Sequence, residues 1–179
     1  LLDRVGFANQ VGADIMVSIH LNSSKKPGPS GPITFLLSVT ASDESSRRIA
    51  LLENEEPTII KRKSSIGTAD AKVRNILLDL SRQKAHTDSA RLAHILQRHI
   101  DRKSPFEGRG VRQAPFFVLM GAAMPAVVAE IGFINHGQEG KYITSERGMK
   151  TIADGIVNGI VEFERKVLRS STNPIGVSP

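Results

Sequence analysis

Short apolar runs bounded by glycine, proline or polar residues recur along this chain. They lie at 14–19, 33–37, 116–119 and 126–131. A run of this kind is typical of a strand that is buried on both faces, so four core strands are predicted. The segment from Phe106 to Gln113 contains glycine and arginine but no apolar run, and it is predicted to be a loop.

Between these runs, apolar residues recur at helical spacing. Helices are predicted over the first residues of the chain, 47–56, 73–100 and about 146–168. The triplet Ser42-Asp43-Glu44 supplies a start for the second of these helices and Pro57 supplies an end. The third is one long helix or two in tandem. Strands that alternate with helices predict an α/β layered domain with a mostly parallel or mixed sheet flanked by helices.

A single domain is expected, because 179 residues suffice for one core and no internal repeat is present. We predict this domain over 1–168, with a helical insert at about 42–85 and a flexible tail over 169–179. Apolar periodicity is lost between residues 61 and 70, which predicts an exposed, mobile connection. The first residues read as the interior of an amphipathic helix without a cap, so sequence is expected to be missing upstream.

Composition restricts the chemistry of any site. The chain has no cysteine, which excludes disulfides, thiolate nucleophiles and cysteine-bound zinc, so a metal would be bound by His and carboxylates. The net charge of +6 suits an anionic polymer, either nucleic acid or an acidic cell wall. An aromatic content of 4% offers few stacking platforms and argues against nucleic acid. No stretch is long and apolar enough to predict a membrane span.

Two polar residues stand at the carboxyl ends of predicted strands. His20 follows the run at 14–19, and Glu130 follows four apolar residues at 126–129. If the two strands are parallel, both side chains reach one crevice, which is where such sheets bind ligands. A carboxylate in this position is costly unless it is paired, protonated or bound to a metal. Taken singly, each residue is also compatible with a hydrogen-bonded structural role, and zinc normally needs three protein ligands.

Two motifs around these residues resemble those of the zinc-dependent N-acetylmuramoyl-L-alanine amidases of the bacterial cell wall. Residues 18–22, Ser-Ile-His-Leu-Asn, resemble the family's S-I-H-x-N motif. Residues 130–135, Glu-Ile-Gly-Phe-Ile-Asn, resemble its E-x-G-F-x-N motif. The Ala-Asn pair that precedes the first motif in the family is matched by Ala8-Asn9 and Ala13-Asp14. The resemblance covers residues 1 to about 166.

The resemblance implies a zinc hydrolase. His20 matches the zinc-binding His of the first motif, and Glu130 matches the catalytic acid/base of the second. The bond cut would be the amide between N-acetylmuramic acid and L-alanine in peptidoglycan. The family's other two zinc ligands, a His in an H-G-G-type turn and a later Glu, precede the point where this chain begins. The possible substitutes, whose spacing resembles no ligand pair, are His86, His94, His99 and His136.

The insert at about 42–85 resembles the regulatory insert of the amidases that act in daughter-cell separation. In those relatives a helix covers the active site, and a Glu from it occupies the zinc until an activator protein withdraws the helix. Glu53 is the predicted autoinhibitory residue here, with Glu55 and Glu56 as rivals. The alternative interpretation is that these acidic residues form a solvated helix end.

Four further residues are predicted to bind substrate: Asn22, Asn135, Arg109 and Arg112. The two arginines would face an acidic peptide stem. The expected protein is an exported, autoinhibited monomer of the periplasm or cell envelope, with peptidoglycan as substrate and an activator protein as partner. Two alternatives are a catalytically inactive peptidoglycan-binding or scaffold module of the same fold, and a metallopeptidase of similar sheet architecture.

Overall fold

The computed structural model of the protein describes residues 2–24, 29–55 and 71–169, including the side chains within 4–24, 29–55 and 83–169. The helices and strands in these ranges are α1 Leu2–Gln10, β1 Met16–Asn22, β2 Ile33–Leu37, α2 Glu44–Asn54, α3 Ala71–Lys103, β3 Val111–Ala114, β4 Ala126–Phe133, α4 Gly137–Ile143 and α5 Glu146–Phe163. A π-type turn over Glu164–Leu168 extends α5. Of the predicted tail at 169–179, Arg169 is described and is helical, and 170–179 lies outside the described residues. The predicted mobile connection also lies outside them.

The four strands form one mixed sheet in the order β1-β4-β2-β3. β1 is parallel to β4 and β2 is parallel to β3, whereas β2 and β4 are antiparallel. This confirms the predicted α/β class. The parallel pair β1–β4 places His20 directly beside Glu130 in register, so the two motif residues meet as expected.

Successive side chains of β4 point to opposite faces of the sheet. Val127 and Ala129 pack against α3 and α5, in a core that includes Leu96 and Ile156. The segment predicted as one long helix or two in tandem over 73–100 is a single continuous helix, α3, and it lies on this face of the sheet. No described helix combines the length and apolar character that crossing a membrane requires.

The opposite face of the sheet is covered by α2 and the segment at 115–119. Ala126 and Val128 of β4 point to this side, where they join Ile49 of α2 and Phe116 in a second core. α2 begins within the start predicted at 42–44, where Asp43 is the cap: its Oδ1 accepts the Ser46 N–H at 2.7 Å.

Two local predictions are wrong, and one short element was not predicted. The run at 116–119 is not a strand: Phe117–Leu119 forms a 3₁₀ turn, and its apolar residues cover the second core. The predicted loop contains an edge strand, β3, whose side chains are only partly buried and whose sequence therefore has no apolar run. The short helix α4 was not predicted, because seven residues carry too little periodicity.

Candidate active site

The β1–β4 pair places two ionisable side chains on the face of the sheet that α2 covers. Glu130 is two residues beyond Val128 and therefore points to the same side as Val128. His20 is its neighbour in register on β1. Ser18 is two residues earlier on β1, and its Oγ is 2.9 Å from Nε2 of His20. This hydrogen bond orients the imidazole. Sequence reasoning missed this role of Ser18, although the two-residue period of a strand predicts a shared face.

A third ionisable side chain comes from α2. Oε2 of Glu53 is in direct contact with Nδ1 of His20, and the two side chains are 22% and 11% exposed. One nitrogen or oxygen atom from each of His20, Glu53 and Glu130 lies within 4.8 Å of the other two. Of the three acidic residues that the sequence offered, Glu53 is in this cluster, Glu55 is exposed at the end of α2, and Glu56 lies outside the described residues.

Burial and charge alter the proton affinities in this cluster. Glu130 is 1% exposed, and neither of its carboxylate oxygens has a hydrogen-bond partner among the described residues. Burial, reinforced by the charge of Glu53, raises the pKa of Glu130 to about 8. The hydrogen bond with Glu53 raises the pKa of His20 against the opposing effect of burial, and the charges of Glu53 and Glu130 add to it. A cation or a water molecule beside Glu130 would satisfy its oxygens.

Glu53 is held in place by its neighbour in α2. Nδ2 of Asn54 donates to the Pro115 carbonyl at 2.8 Å, and Oδ1 accepts the Phe117 N–H at 2.8 Å. We call this pair of bonds the Asn54 bridge. The start of α2 has a second attachment, an ion pair between Asp43 and Arg112. The helix is thus attached to the 111–117 region at both ends.

Asn22, predicted to bind substrate, is buried beside the cluster. Its side chain is on the α2 face of β1, and its Nδ2 has no hydrogen-bond partner among the described residues. It lines a cavity of about 240 Å³ between α2 and the end of β1, together with Ile49, Leu52 and Phe133. The free amide gives this cavity a hydrogen-bond donor that a substrate could use. Substrate binding by Asn22 stays a prediction.

The other three predicted substrate residues make contacts within the protein. The Arg109 guanidinium lies 5.7 Å from the centre of the Phe133 ring. Arg112 pairs with Asp43 and also donates to the Arg109 carbonyl. The Asn135 amide bonds to both the N–H and the carbonyl of Ser24, which ties the second motif to the loop after β1. Their roles toward substrate stay predictions.

The remaining histidines lie elsewhere. Nε2 of His86 is 3.0 Å from the Leu37 carbonyl, and His99 pairs with Glu162. His136 accepts the Glu139 N–H as the cap of α4, and the exposed His94 lies on α3. None of the four joins the cluster formed by the described residues.

The cluster fits a metal ion in its donor chemistry. An imidazole nitrogen and carboxylate oxygens are donors that zinc takes in proteins, and a chain without cysteine offers no others of comparable strength. Glu130, with two oxygens that lack partners, suits either a ligand or a base beside the metal.

Comparison with known proteins identifies one family. The profile described as Amidase_3, N-acetylmuramoyl-L-alanine amidase, matches residues 1–162. The chain is similar to the N-acetylmuramoyl-L-alanine amidase AmiA of Salmonella typhimurium, with 28% identity over 164 residues that make up 91% of this chain and 56% of AmiA. It is also similar to AmiC of Neisseria meningitidis, with 24% identity over 89% of this chain and 38% of AmiC. The chain thus spans little more than half the length of AmiA.

Solved structures share the fold. The catalytic domain of the amidase CwlV from Bacillus (Paenibacillus) polymyxa superposes with a TM-score of 0.61 at 22% identity, over 92% of this chain and 65% of that one. The amidase AmiC2 of Nostoc punctiforme gives a TM-score of 0.63 at 20% identity, over 93% of this chain and 66% of that one. At these identities the likeness establishes the fold.

Proposed function

The chain belongs to the N-acetylmuramoyl-L-alanine amidase family, and from this membership we propose that it hydrolyses the amide between N-acetylmuramic acid and L-alanine in peptidoglycan with zinc as cofactor. The observation that carries the proposal is the convergence of His20, Glu53 and Glu130 from three separate elements. If His20 and Glu53 formed only a structural ion pair, nothing would require Glu130 to be buried beside them with no hydrogen-bond partner.

The proposed roles follow from the chemistry of each side chain. His20 would bind zinc through its imidazole, and the two ligands expected upstream of Leu1 would complete the set. The chemistry that zinc supplies when bound is polarisation of a carbonyl and a lower pKa of water. Glu130 would accept a proton from the attacking water and return it to the leaving amine, a task for which a raised pKa is suited.

We also propose that Glu53 inhibits the enzyme. Its carboxylate contacts the nitrogen of His20 and lies beside Glu130, in the space where the substrate carbonyl and the water would meet. α2 would therefore have to move before hydrolysis. An activator protein of the periplasm or cell envelope is the proposed partner for that movement, because the position of α2 depends on a few polar bonds and a small apolar contact.

The first experiment measures zinc by elemental analysis, in this chain and in a version extended upstream. About one zinc per extended chain is expected, with loss of that zinc in His20→Ala. The matched control is His94→Ala, which removes an exposed imidazole outside the cluster and should leave the zinc in place. An extended chain without zinc would contradict the hydrolase and favour a peptidoglycan-binding module.

A second experiment identifies the bond that is cut. Peptidoglycan digested by the extended protein is expected to release peptide stems with a free L-alanine amino group, as measured by mass. Glu130→Gln should lower the rate by at least about a hundredfold while zinc stays bound. Cleavage between amino acids instead would indicate a metallopeptidase.

The inhibitory role is tested by Glu53→Ala. Activity without any activator is expected to rise about tenfold or more, since the carboxylate no longer competes for the site. Glu55→Ala changes an exposed carboxylate two residues away and should leave the activity unchanged. A fall in activity on Glu53→Ala would show that this side chain assists the reaction.

A further inference from the structure

Glu139 in α4 is a charged residue with no access to solvent, being 0% exposed. Its two oxygens accept hydrogen bonds from separate parts of the backbone. Oε1 accepts the Gly31 N–H at 2.8 Å, and Oε2 accepts the Phe133 N–H at 3.0 Å. Two charge-assisted bonds of this kind offset the cost of burying a carboxylate. One side chain therefore joins the segment before β2 to the end of β4.

The bond to Phe133 coincides with an irregularity in β4. Between His20 and Asn22 of β1 there is one residue, but the partners of these two in β4, Glu130 and Phe133, are separated by two. β4 thus contains a bulge, and Gly132 within it has φ of 147°. A side chain at Gly132 would meet Oε1 of Glu139 at 2.6 Å, so the bulge and the buried carboxylate are fitted to each other.

The bulge changes which face of the sheet the last residue of β4 occupies. Ala129 and Ile131 belong to the core against α3 and α5, and regular alternation would place Phe133 there as well. Phe133 instead packs in the opposite core, beneath α2. There it lines the cavity with Asn22, and Arg109 lies over its ring. Phe133 is the aromatic residue among the described residues that line this cavity, so without the bulge the cavity would lose that aromatic wall.

From these contacts we infer that Glu139 is a positioning residue for the active site. Its carboxylate fixes the bulge at Gly132 and the segment at Gly31 as one frame, which holds Phe133 on the catalytic face and Glu130 beside His20. Glu139 does not reach the His20 cluster and takes no part in the chemistry. The catalytic consequence rests on the proposed function, whereas the structural one stands without it.

The structural part is tested by amide hydrogen exchange, resolved by residue with NMR, on this chain and on Glu139→Gln. Glutamine has nearly the same shape but presents an NH₂ group to one of the two N–H donors. Exchange at Gly31, Phe133 or both should accelerate about tenfold or more, while Val127 and Val128 in the core of β4 keep their rates. The control Glu146→Gln removes an exposed charge and should change none of them.

Two results would overturn the inference. Rates at Gly31 and Phe133 within about twofold of the wild-type chain would mean that the carboxylate does not hold the frame. Equal acceleration at Val127 and Val128 would mean that Glu139 serves global stability alone. If Glu139→Gln does not fold, the shorter carboxylate of Glu139→Asp, which cannot span both donors, is measured against the same two outcomes.

The catalytic part is tested with the extended protein. We expect Glu139→Gln to lower kcat about tenfold, with KM changed by less than about twofold and the zinc content unchanged, because Glu130 is misplaced while the ligand stays. An unchanged kcat would overturn the positioning role. If the wild-type protein itself neither binds zinc nor cuts peptidoglycan, the proposed function fails, and the exchange rates still decide whether Glu139 holds the frame.

Discussion

α2 and the α3–α5 pair both lie against the sheet, but they are attached in different ways. In α2 the buried residues are Ser46, Ile49 and Ala50, while Leu51 and Leu52 are 49% and 41% exposed. α5 approaches α3 so closely that a methyl group at Gly159 would lie 2.8 Å from the Leu96 side chain and 3.1 Å from its backbone. Polar bonds at both ends hold α2 in place, whereas α5 is held against α3 by a closely packed apolar surface.

The difference matches the parts that these elements would play. The α3–α5 layer supports the sheet that carries His20 and Glu130, and a displacement of that layer would disrupt the whole core. α2 carries only Glu53 to the cluster. A segment that opens independently needs little buried apolar surface, since its opening free energy must stay below that of global unfolding. We expect α2 to be such a segment.

The largest effect is expected where the helices are closest. Gly159→Val should lower the free energy of unfolding by about 3 kcal/mol, because its methyl groups would collide with Leu96, whose backbone cannot move without shifting α3. The measurement is urea unfolding followed by circular dichroism.

Asn158→Val is the matched control, since it introduces the same side chain one position earlier on the exposed side of α5. It should change stability by less than about 0.5 kcal/mol. If both variants lose the same stability, the loss does not come from the contact between Gly159 and Leu96, and close packing of α3 on α5 is not the basis of the contrast with α2.

A smaller and more local effect is expected in α2. Asn54→Ala removes both bonds of the Asn54 bridge, worth about 1–2 kcal/mol together. Hydrogen exchange over 44–54 should accelerate about tenfold, while the amides of α5 keep their rates. Exchange measured by mass spectrometry on peptic fragments resolves these two regions.

Glu55→Ala, at the exposed end of the same helix, serves as the control and should leave exchange in α2 within about twofold of the wild-type chain. Joint acceleration of α2 and α5 in Asn54→Ala would contradict the comparison, because it would mean that α2 opens only with the rest of the core.

Much of the fold could be predicted because its core elements have clear periods. β2, β4 and α5 are apolar runs or stripes that tertiary contacts reinforce. The errors occur where burial does not go with secondary structure, because some buried apolar residues form no strand and one strand is little buried. Phe116 and Val118 are apolar because they cover a core, although they form no strand. Among the described strands, β3 pairs with β2 alone and is polar because it is an edge strand, so composition alone suggests a loop.

The site could be predicted in part for a similar reason. His20 and Glu130 follow apolar runs, and the parallel pairing of two strands brings them together. Glu53 required the resemblance to a known family, since an acidic helix end has no local feature that distinguishes it from solvated surface. Glu139 had no signal at all: its burial depends on the bulge at Gly132 and on Gly31, about a hundred residues earlier in the chain.

The smallest effect concerns a polar contact within the well-packed pair. Glu162 on α5 bonds to Lys166 and, across the helix interface, to His99 and Arg98 of α3. These partners, Lys166 first, lower the pKa of Glu162 well below its usual range. A carboxyl group whose pKa is depressed in the folded state stabilises the fold above its unfolded pKa of about 4.5, and that contribution is lost as the pH falls through the folded pKa.

Glu162→Gln should therefore cost about 1 kcal/mol at pH 6, since solvent screens these partly exposed charges, and should cost less at pH 3. Urea unfolding at the two pH values measures the difference, with Glu146→Gln as an exposed control that should show little change at either pH. A penalty that is equal at pH 6 and pH 3 would mean that Glu162 acts through packing. The α3–α5 contact would then depend on apolar surface alone, which sharpens its contrast with the polar attachment of α2.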